Sequence, residues 1–310
     1  MATVGTGSWQ KALWPGVDIW LNEDTPGYAP EWSQVFKTRT SNRAFEQAVD
    51  MSMFGTVPVK DQGSPIEYDD SQQTYINTFT SEVRALGTRI TLEAYRYNLY
   101  NLDALSERPK ALKQSFEITK ELVHADVFDN GFSSSYTMGA SSDSVALFSA
   151  SHPVGPYGAD QSNLVTAADL SETTLEDACI QIAGMKDPRG LQRKITPFCL
   201  VIPRQLAFIA GRITDSDLQN DTAHNAKNIL KSGNYLPGGT KINHYLDDSD
   251  AWFVLTSINE AGQGLIHYKV WDLEFGMDND ADTFDMKVKG FEAYSKGWGN
   301  FRLGVGSAGA

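Results

Sequence analysis

The chain has 310 residues, 41% of them apolar and 21% charged, with a formal charge of −13 at pH 7. That length suits one large domain or two ordinary ones, and the composition is globular rather than disordered. No run approaches the roughly 20 apolar residues that cross a bilayer, and no basic stripe suits tight binding of phosphate backbones.

The start has no basic segment followed by an apolar run, so no secretion signal is expected. Residues 1–43 carry Trp9, Trp14, Trp20 and Trp32, broken up by Pro15, Pro26, Pro30 and several glycines. Such a segment has little local drive to fold, yet its aromatic surface is costly to leave in water. Two readings stand: an extended arm that docks its tryptophans elsewhere, or an irregular lead-in packed on its own domain. Residues 44–56 form a short mixed lead-in. From Val57 to Val83 the chain is rich in β-formers and turns. Val57 and Val59 precede a polar turn at Lys60–Pro65; Ile66 and Tyr68 follow, then Tyr75, Phe79 and Val83 among threonines. This predicts a long two-stranded excursion with little core beneath it, and a lone hairpin is marginal in water.

A strand from about Arg84 leads to a short helix capped by Thr91. A long helix comes next, with Leu105, Leu112, Phe116, Val123 and Val127 at helical spacing. Ala111, Ile118, Leu122 and Ala125 widen its predicted apolar face. Ser106 is the candidate cap, with Pro109 in the first turn and Gly131 as the stop. The helix spans about 25 residues, near 37 Å. After a Ser- and Gly-rich gap, helix and strand alternate. Thr173-Thr174-Leu175-Glu176 reads as a capping box, opening a helix with Leu175, Cys179, Ile182 and Met185 inward. Phe198–Ile202 is a buried strand, and Pro203 starts a helix with Leu206, Ile209 and Ile213 on one face. A polar loop covers Thr214 to Gly239. Strands are expected at Lys241–Tyr245, Ala251–Ser257 and Leu265–Trp271, making 145–267 an α/β subdomain. In the tail, Phe284, Met286 and Val288 alternate with charges, and Gly290 would shift the phase through a β-bulge. The stretch Gly304–Ala310 is expected to fray.

Candidate chemistry fails on spacing. Asp278, Asp280 and Asp282 begin like a calcium loop, but the sixth position is Thr283 and the twelfth Lys289. The Gly5-Thr6-Gly7 and Gly262-Gln263-Gly264 pairs lack the third glycine of a dinucleotide loop. Ser149, Ser151 and His152 invite a serine-hydrolase reading, yet the serines sit outside a glycine-flanked elbow. His124 reads as a packed helix residue, and His224, His244 and His267 lack ligand spacing. Cys179 and Cys199 read as buried thiols. No cofactor, metal or catalytic residue is expected.

The tract from Arg84 to Pro153 resembles the major capsid proteins of tailed bacteriophages, the Hong Kong 97 fold. The resemblance rests on the strand into helix at Ala85–Ala94 and on the spine-helix end Thr119–Phe132. It extends to the phrase Leu147-Phe148-Ser149-Ala150-Ser151-His152-Pro153, the later Asn163-Leu164 and Leu170-Ser171, and the closing Trp298-Gly299-Asn300-Phe301-Arg302. It covers about Val57 to the C-terminus. It implies an α+β fold in six parts: N-terminal arm (1–43), lead-in of the peripheral domain (44–56), extended loop (57–83), peripheral domain with spine helix (84–144), axial domain (145–267), and return strands with the C-terminal tail (268–310).

The same resemblance implies a structural, non-enzymatic subunit that assembles with itself into hexamers and pentamers of an icosahedral head around double-stranded DNA. Scaffold, portal and decoration proteins are the further expected partners. DNA contact would be non-specific, with no membrane. The virion is the implied location, after assembly in the host bacterial cytoplasm. The candidate assembly contacts are Trp9, Trp14, Trp20 and Trp32 on the arm, Lys60, Tyr68, Tyr75 and Phe79 on the loop, and His224 and Asn225 on the Thr214–Gly239 axial loop. Some relatives cross-link a loop lysine to an asparagine; Lys60 is the one lysine in this loop, but nothing supplies its partner, so non-covalent packing is expected. The chain opens on the arm, so a separate scaffold or prior trimming is expected. The alternatives are an encapsulin-type bacterial compartment shell and a cytosolic serine hydrolase.

Overall fold

This computed structural model describes residues 28–310 except 72, 92, 94–96, 98–102, 155–158, 220–225, 281 and 284; for 103–107 and 279 it describes the backbone alone. Trp9, Trp14, Trp20, His224, Asn225 and most of the helix predicted after Thr91 lie outside the described residues. In chain order the first elements are β1 (Lys37–Thr40), β2 (Phe45–Met51), β3 (Gln73–Thr80), β4 (Glu82–Ile90), α1 (Asp103–Asp129) and α2 (Glu172–Ala183). Then come β5 (Pro197–Pro203), α3 (Ala207–Thr214), α4 (Ile229–Ser232), β6 (Gly239–Asn243), β7 (Trp252–Thr256), α5 (Ser257–Glu260), β8 (Leu265–Asn279), β9 (Met286–Trp298) and β10 (Gly304–Ser307).

Two four-stranded sheets and one ribbon organise these elements. The peripheral sheet has the order β1-β8-β9-β4, the axial sheet β10-β7-β5-β6, and β2 pairs with β3 alone. The spine helix α1 lies on the peripheral sheet. Its first half packs Leu112 and Phe116 on Ile90, Met286 and Val288. Its second half puts Ala125, Val127 and Phe128 into a cluster that also holds Phe253 and Leu255 of β7 and Leu265 and Ile266 of β8. One core therefore joins the peripheral and axial parts. A second core lies on the other face of the axial sheet, beneath α2 and α3.

Several expectations change. The arm reading gives way, over the described residues, to its alternative: Lys37–Thr40 runs parallel to β8, with Lys37 beside Ile266, and Val35 and Phe36 are buried. The two-stranded excursion also shifts. Its paired strands are Phe45–Met51 and Gln73–Thr80, flanking the 57–83 window's first half, because the alternating side chains of the 44–56 segment meet the Thr-rich strand. Residues 52–71 carry no strand.

The helix α1 begins before Ser106, so Pro109 stands in its second turn, where it withholds a donor from the preceding turn. Ile118 and Leu122 are exposed rather than core-facing, since the inward positions are taken by Glu121 and His124. The cap of α2 is Ser171, two residues earlier than expected; its hydroxyl accepts from Thr174 N, while the Thr174 hydroxyl accepts from Ser171 N. On α3, Ala210 and Ile213 are buried and Ile209 is exposed.

Gly290 makes no bulge. It holds register with both Leu86 and Phe275, and the irregularities fall in β8 around Trp271. Its missing side chain has another use, because a Cβ there would sit 2.7 Å from the Phe116 ring. The glycine lets the spine helix approach the sheet, and Val288, Gly290 and Glu292 keep one buried face in phase without a shift.

The C-terminus is not frayed. Gly304–Ser307 pairs antiparallel with β7 as an outer strand of the axial sheet, and all four residues are buried. The axial part is thus completed by residues beyond the expected 145–267. The small residues that suggest fraying are what fit: a Cβ on Gly306 would come within 2.8 Å of the Phe148 ring.

Candidate assembly surfaces

The described root of the arm is clamped to the spine helix by one buried acid. Glu121 is fully buried on α1, and its carboxylate accepts from the Tyr28 hydroxyl at 2.8 Å, Glu31 N at 2.9 Å and Trp32 N at 3.1 Å. Burial raises the Glu121 carboxyl above its usual range, with these donors pulling the other way. Burial also raises the Tyr28 phenol, with the Glu121 bond adding to it. Glu31 reaches outward to His244, with its two oxygens 2.6 Å from Nδ1 and 2.8 Å from the backbone N.

Trp32 then covers a histidine pair. Its ring lies 4.6 Å from His124, stacked, and 4.5 Å from His267. His124 Nδ1 is 2.6 Å from the Lys120 carbonyl, so that nitrogen donates. Its Nε2 faces His267 Nδ1 at 3.0 Å and is left to accept. The contact between the two rings is therefore made with both in neutral form. Burial holds His124 well below the ordinary histidine value, and burial with Lys120 and Lys269 nearby takes His267 to about 4.

The four loop candidates separate into two groups. Phe79 is buried and meets Tyr268 edge to face at 5.1 Å. Tyr75 donates to the Pro153 carbonyl. Both side chains sit within their own chain, not on a surface for another. Lys60 and Tyr68 are exposed, and the tip around them is apolar: Val57, Val59 and Tyr68 are 94%, 96% and 96% exposed, and Phe54 and Ile66 are exposed too. The base of this loop is leashed. Asp69 accepts from Gly55 N at 2.6 Å and from Arg189 at 2.5 Å, and these bonds lower its carboxyl to about 2. The ribbon is tied to the axial part where Asn300 and buried Arg302 reach Asp50 at 3.1 and 3.4 Å.

The phrase around His152 is a structural knot. The ring is fully buried, stacks on Phe301 at 4.1 Å, and sets Nδ1 2.7 Å from Asp143 and Nε2 2.9 Å from the Asn163 carbonyl oxygen. The Asn163 amide bridges Leu147 O and Phe301 O. Both ring nitrogens are thus engaged away from the serines. Ser151 donates to Asp160, and the Ser149 hydroxyl makes its contacts with the Ser151 backbone. Among the described residues no histidine meets either serine, which is the contact the hydrolase alternative needs. Among the described residues no group of three acidic, histidine or cysteine side chains could hold a metal, and no helix is long and apolar enough to cross a membrane. Cys179 and Cys199 are free and buried, and burial pushes their thiols up to about 11 and about 12.

Glu121, His267, Asn163 and Arg302 were missed as organising residues. Glu121 was hidden because the predicted apolar face ran through Ile118 and Leu122, and only the sheet beneath α1 turns Glu121 inward. His267 and Arg302 show nothing locally, since His124 and Asp50 lie over 100 residues away in the chain, while Asn163 joins nearby His152 and Leu147 to distant Phe301.

No protein-family model matches the chain, and no curated protein matches it in sequence. Solved structures do. The capsid of Myoviridae phage XM1 is similar with a TM-score of 0.54 at 12% identity, over 94% of this chain and 95% of that one. The capsid structure of the cyanophage P-SCSP1u gives 0.54 at 11% identity, over 93% and 91%. A chain of Mycobacterium phage Patience gives 0.52 at 11% identity, over 98% and 88%. At these identities the likeness is one of fold, and it runs nearly end to end.

Proposed function

We propose that this chain, which has the Hong Kong 97-like capsid fold, is the major capsid protein of a tailed bacteriophage. It assembles with itself into hexamers and pentamers of an icosahedral head that encloses double-stranded DNA. The single observation that carries the reading is the loop at 52–71, whose apolar tip is almost wholly in solvent in the isolated subunit. An exposed apolar limb of this kind marks an interaction site, and burial between copies removes its cost. The exposed Ile118 and Leu122 on the spine helix offer further apolar surface of the same kind.

The remaining roles follow from this reading. On this reading Trp9, Trp14 and Trp20 are assigned to contacts with neighbouring subunits, and His224 and Asn225 to contacts around the local axes. The wall works by packing, and its net charge of −13 weakens sequence-independent adhesion of the packaged DNA. A scaffold, a portal and decoration proteins complete the partners, and the mature location is the virion, after assembly in the bacterial cytoplasm. Expression with and without a scaffold, followed by electron microscopy, tests this. Closed shells are the expected result; monomers that persist under all assembly conditions overturn it.

A further inference from the structure

Two surfaces of the axial part are unused by its own fold and complement each other. The first is the outer side of α3. Arg204, in the single 3-10 turn ahead of the helix, Phe208 and Arg212 recur every four residues, and all three are exposed. Phe208 is 82% exposed, while Ala210 and Ile213 of the same helix are buried. Neither guanidinium has a side-chain partner among the described residues. A basic, aromatic, basic stripe therefore stands free on a helix whose other side is fully packed.

The second surface is a groove of about 600 Å³ between α2 and the segment from Ile229 to Pro237. Cys179, Ile180, Ile195, Pro197, Ile229 and Tyr235 line it, with Glu176 among them. Ile180 is 70% exposed, although it sits on a helix whose inner face is core. Glu172, Glu176 and Ile180 also recur every four residues, so acids continue the apolar row along α2. Glu172 Oε1 is buried without a hydrogen-bond partner.

We propose that the Arg204–Phe208–Arg212 face of one copy docks into the α2 groove of the next, a contact that rests on the capsid reading and names its axial interface. Phe208 enters the groove over Ile180. Four residues of helix rise about 6 Å on both partners, so a flanking guanidinium then falls at Glu176. The charges match in sign, and the apolar knob matches an apolar hollow. The two surfaces share no residue. The groove opens by Pro197 at the start of β5, whereas Arg204 follows Pro203 at the strand's end. One copy thus offers both halves at once, which makes the contact head-to-tail. Contacts of that kind close into rings when the rotation permits.

The test uses the full chain in a Cys179→Ala background, which removes the native thiol of the groove, carrying Phe208→Cys together with Ile180→Cys, oxidised under assembly conditions and run without reductant. The expected result is a ladder of covalent multimers ending at five or six copies, absent from each single variant. In parallel, Arg204→Glu with Arg212→Glu is expected to lower the yield of capsomers roughly tenfold or more. Adding Glu172→Arg and Glu176→Arg is expected to restore part of it. Arg204, Phe208, Arg212 and Ile180 are exposed and Glu172 and Glu176 half-buried, and an unchanged melting temperature checks that the variants fold. If the wild type forms shells while the ladder is absent and the charge reversal assembles normally, this interface is wrong and the capsid reading stands. If the wild type forms no shells even with a scaffold, the capsid reading falls, and absence of the ladder then removes the head-to-tail contact as well.

Discussion

Replacing Val305 with alanine tests whether the C-terminal strand is part of the core. Val305 is fully buried in β10 and packs in the cluster that holds Leu175, Leu200, Trp252 and Val254. The change removes two methyl groups, about 1.6 kcal/mol of transfer free energy at roughly 0.8 per carbon. Neighbours anchored in β5 and β7 cannot collapse fully into the space, so a cavity cost of about 1 kcal/mol adds to it. The expected loss is about 2–3 kcal/mol, read from urea unfolding followed by tryptophan fluorescence, since Trp252 lies in the same cluster. Gly306→Ala makes the opposite error. Its new methyl group meets the Phe148 ring at 2.8 to 3.1 Å, an overpacking that costs about 1–3 kcal/mol. Ala308→Ser, at an exposed neighbouring position, is the control and stays within about 0.5 kcal/mol. If all three variants unfold alike and like the wild type, the segment is a loose tail and the strand assignment is refuted.

Three further outcomes are expected. Lys120→Met removes the partner 2.7 Å from the buried Glu292 carboxylate, so it destabilises by about 3 kcal/mol in thermal unfolding, and Lys120→Met with Glu292→Leu recovers much of that. His267, held at about 4 in the folded protein, takes up its proton earlier in the unfolded chain, so its contribution falls as pH drops from about 6.5 to 4. The stability advantage of the wild type over His267→Gln shrinks by about 3 kcal/mol across that window; Asp129, raised to about 6, acts in the opposite sense over the same range, which is why the difference between proteins is the quantity to measure. An advantage that is constant with pH would contradict the neutral histidine pair. Asp69→Asn weakens the leash to Arg189 and the Gly55 backbone; amide exchange in residues 52–71 accelerates while the melting temperature stays where it is, and unchanged exchange would mean that the leash does not hold the loop.

Much of the fold was legible because it is local. The apolar spacing of Leu112, Phe116 and Val127 marked α1, and the run Phe198–Ile202 marked β5, since a helix stripe and a buried strand each leave a period in the chain itself. The break came where the same pattern had more than one solution. Ile118 and Leu122 fit a helical stripe as well as their neighbours do, and only the sheet beneath α1 selects the stripe that includes Glu121 and His124. Phe79 and Tyr75 looked like loop residues with no core of their own; Tyr268 and Pro153 supply one from a distance. Of the candidate surface, the exposed tip at Val57, Val59 and Tyr68 was visible as apolar residues between turns, whereas the Arg204, Phe208 and Arg212 row was not, because a phenylalanine in an amphipathic helix gives no sign of which way it faces.

The amino-acid order alone determined the long periodic elements, such as α1 and β5, and the thiols buried in apolar segments. The three-dimensional arrangement decided that Lys37–Thr40 lies along β8, that Gly304–Ser307 closes the axial sheet, and that His152 is held by Asp143 and Asn163. The reason is range. A strand that is short and rich in glycine or charge carries no hydrophobic signal, and it becomes a strand only when a distant edge offers its unpaired backbone groups. A polar side chain such as Glu121 is likewise tolerable inside only because donors from residues 28–32 arrive to meet it.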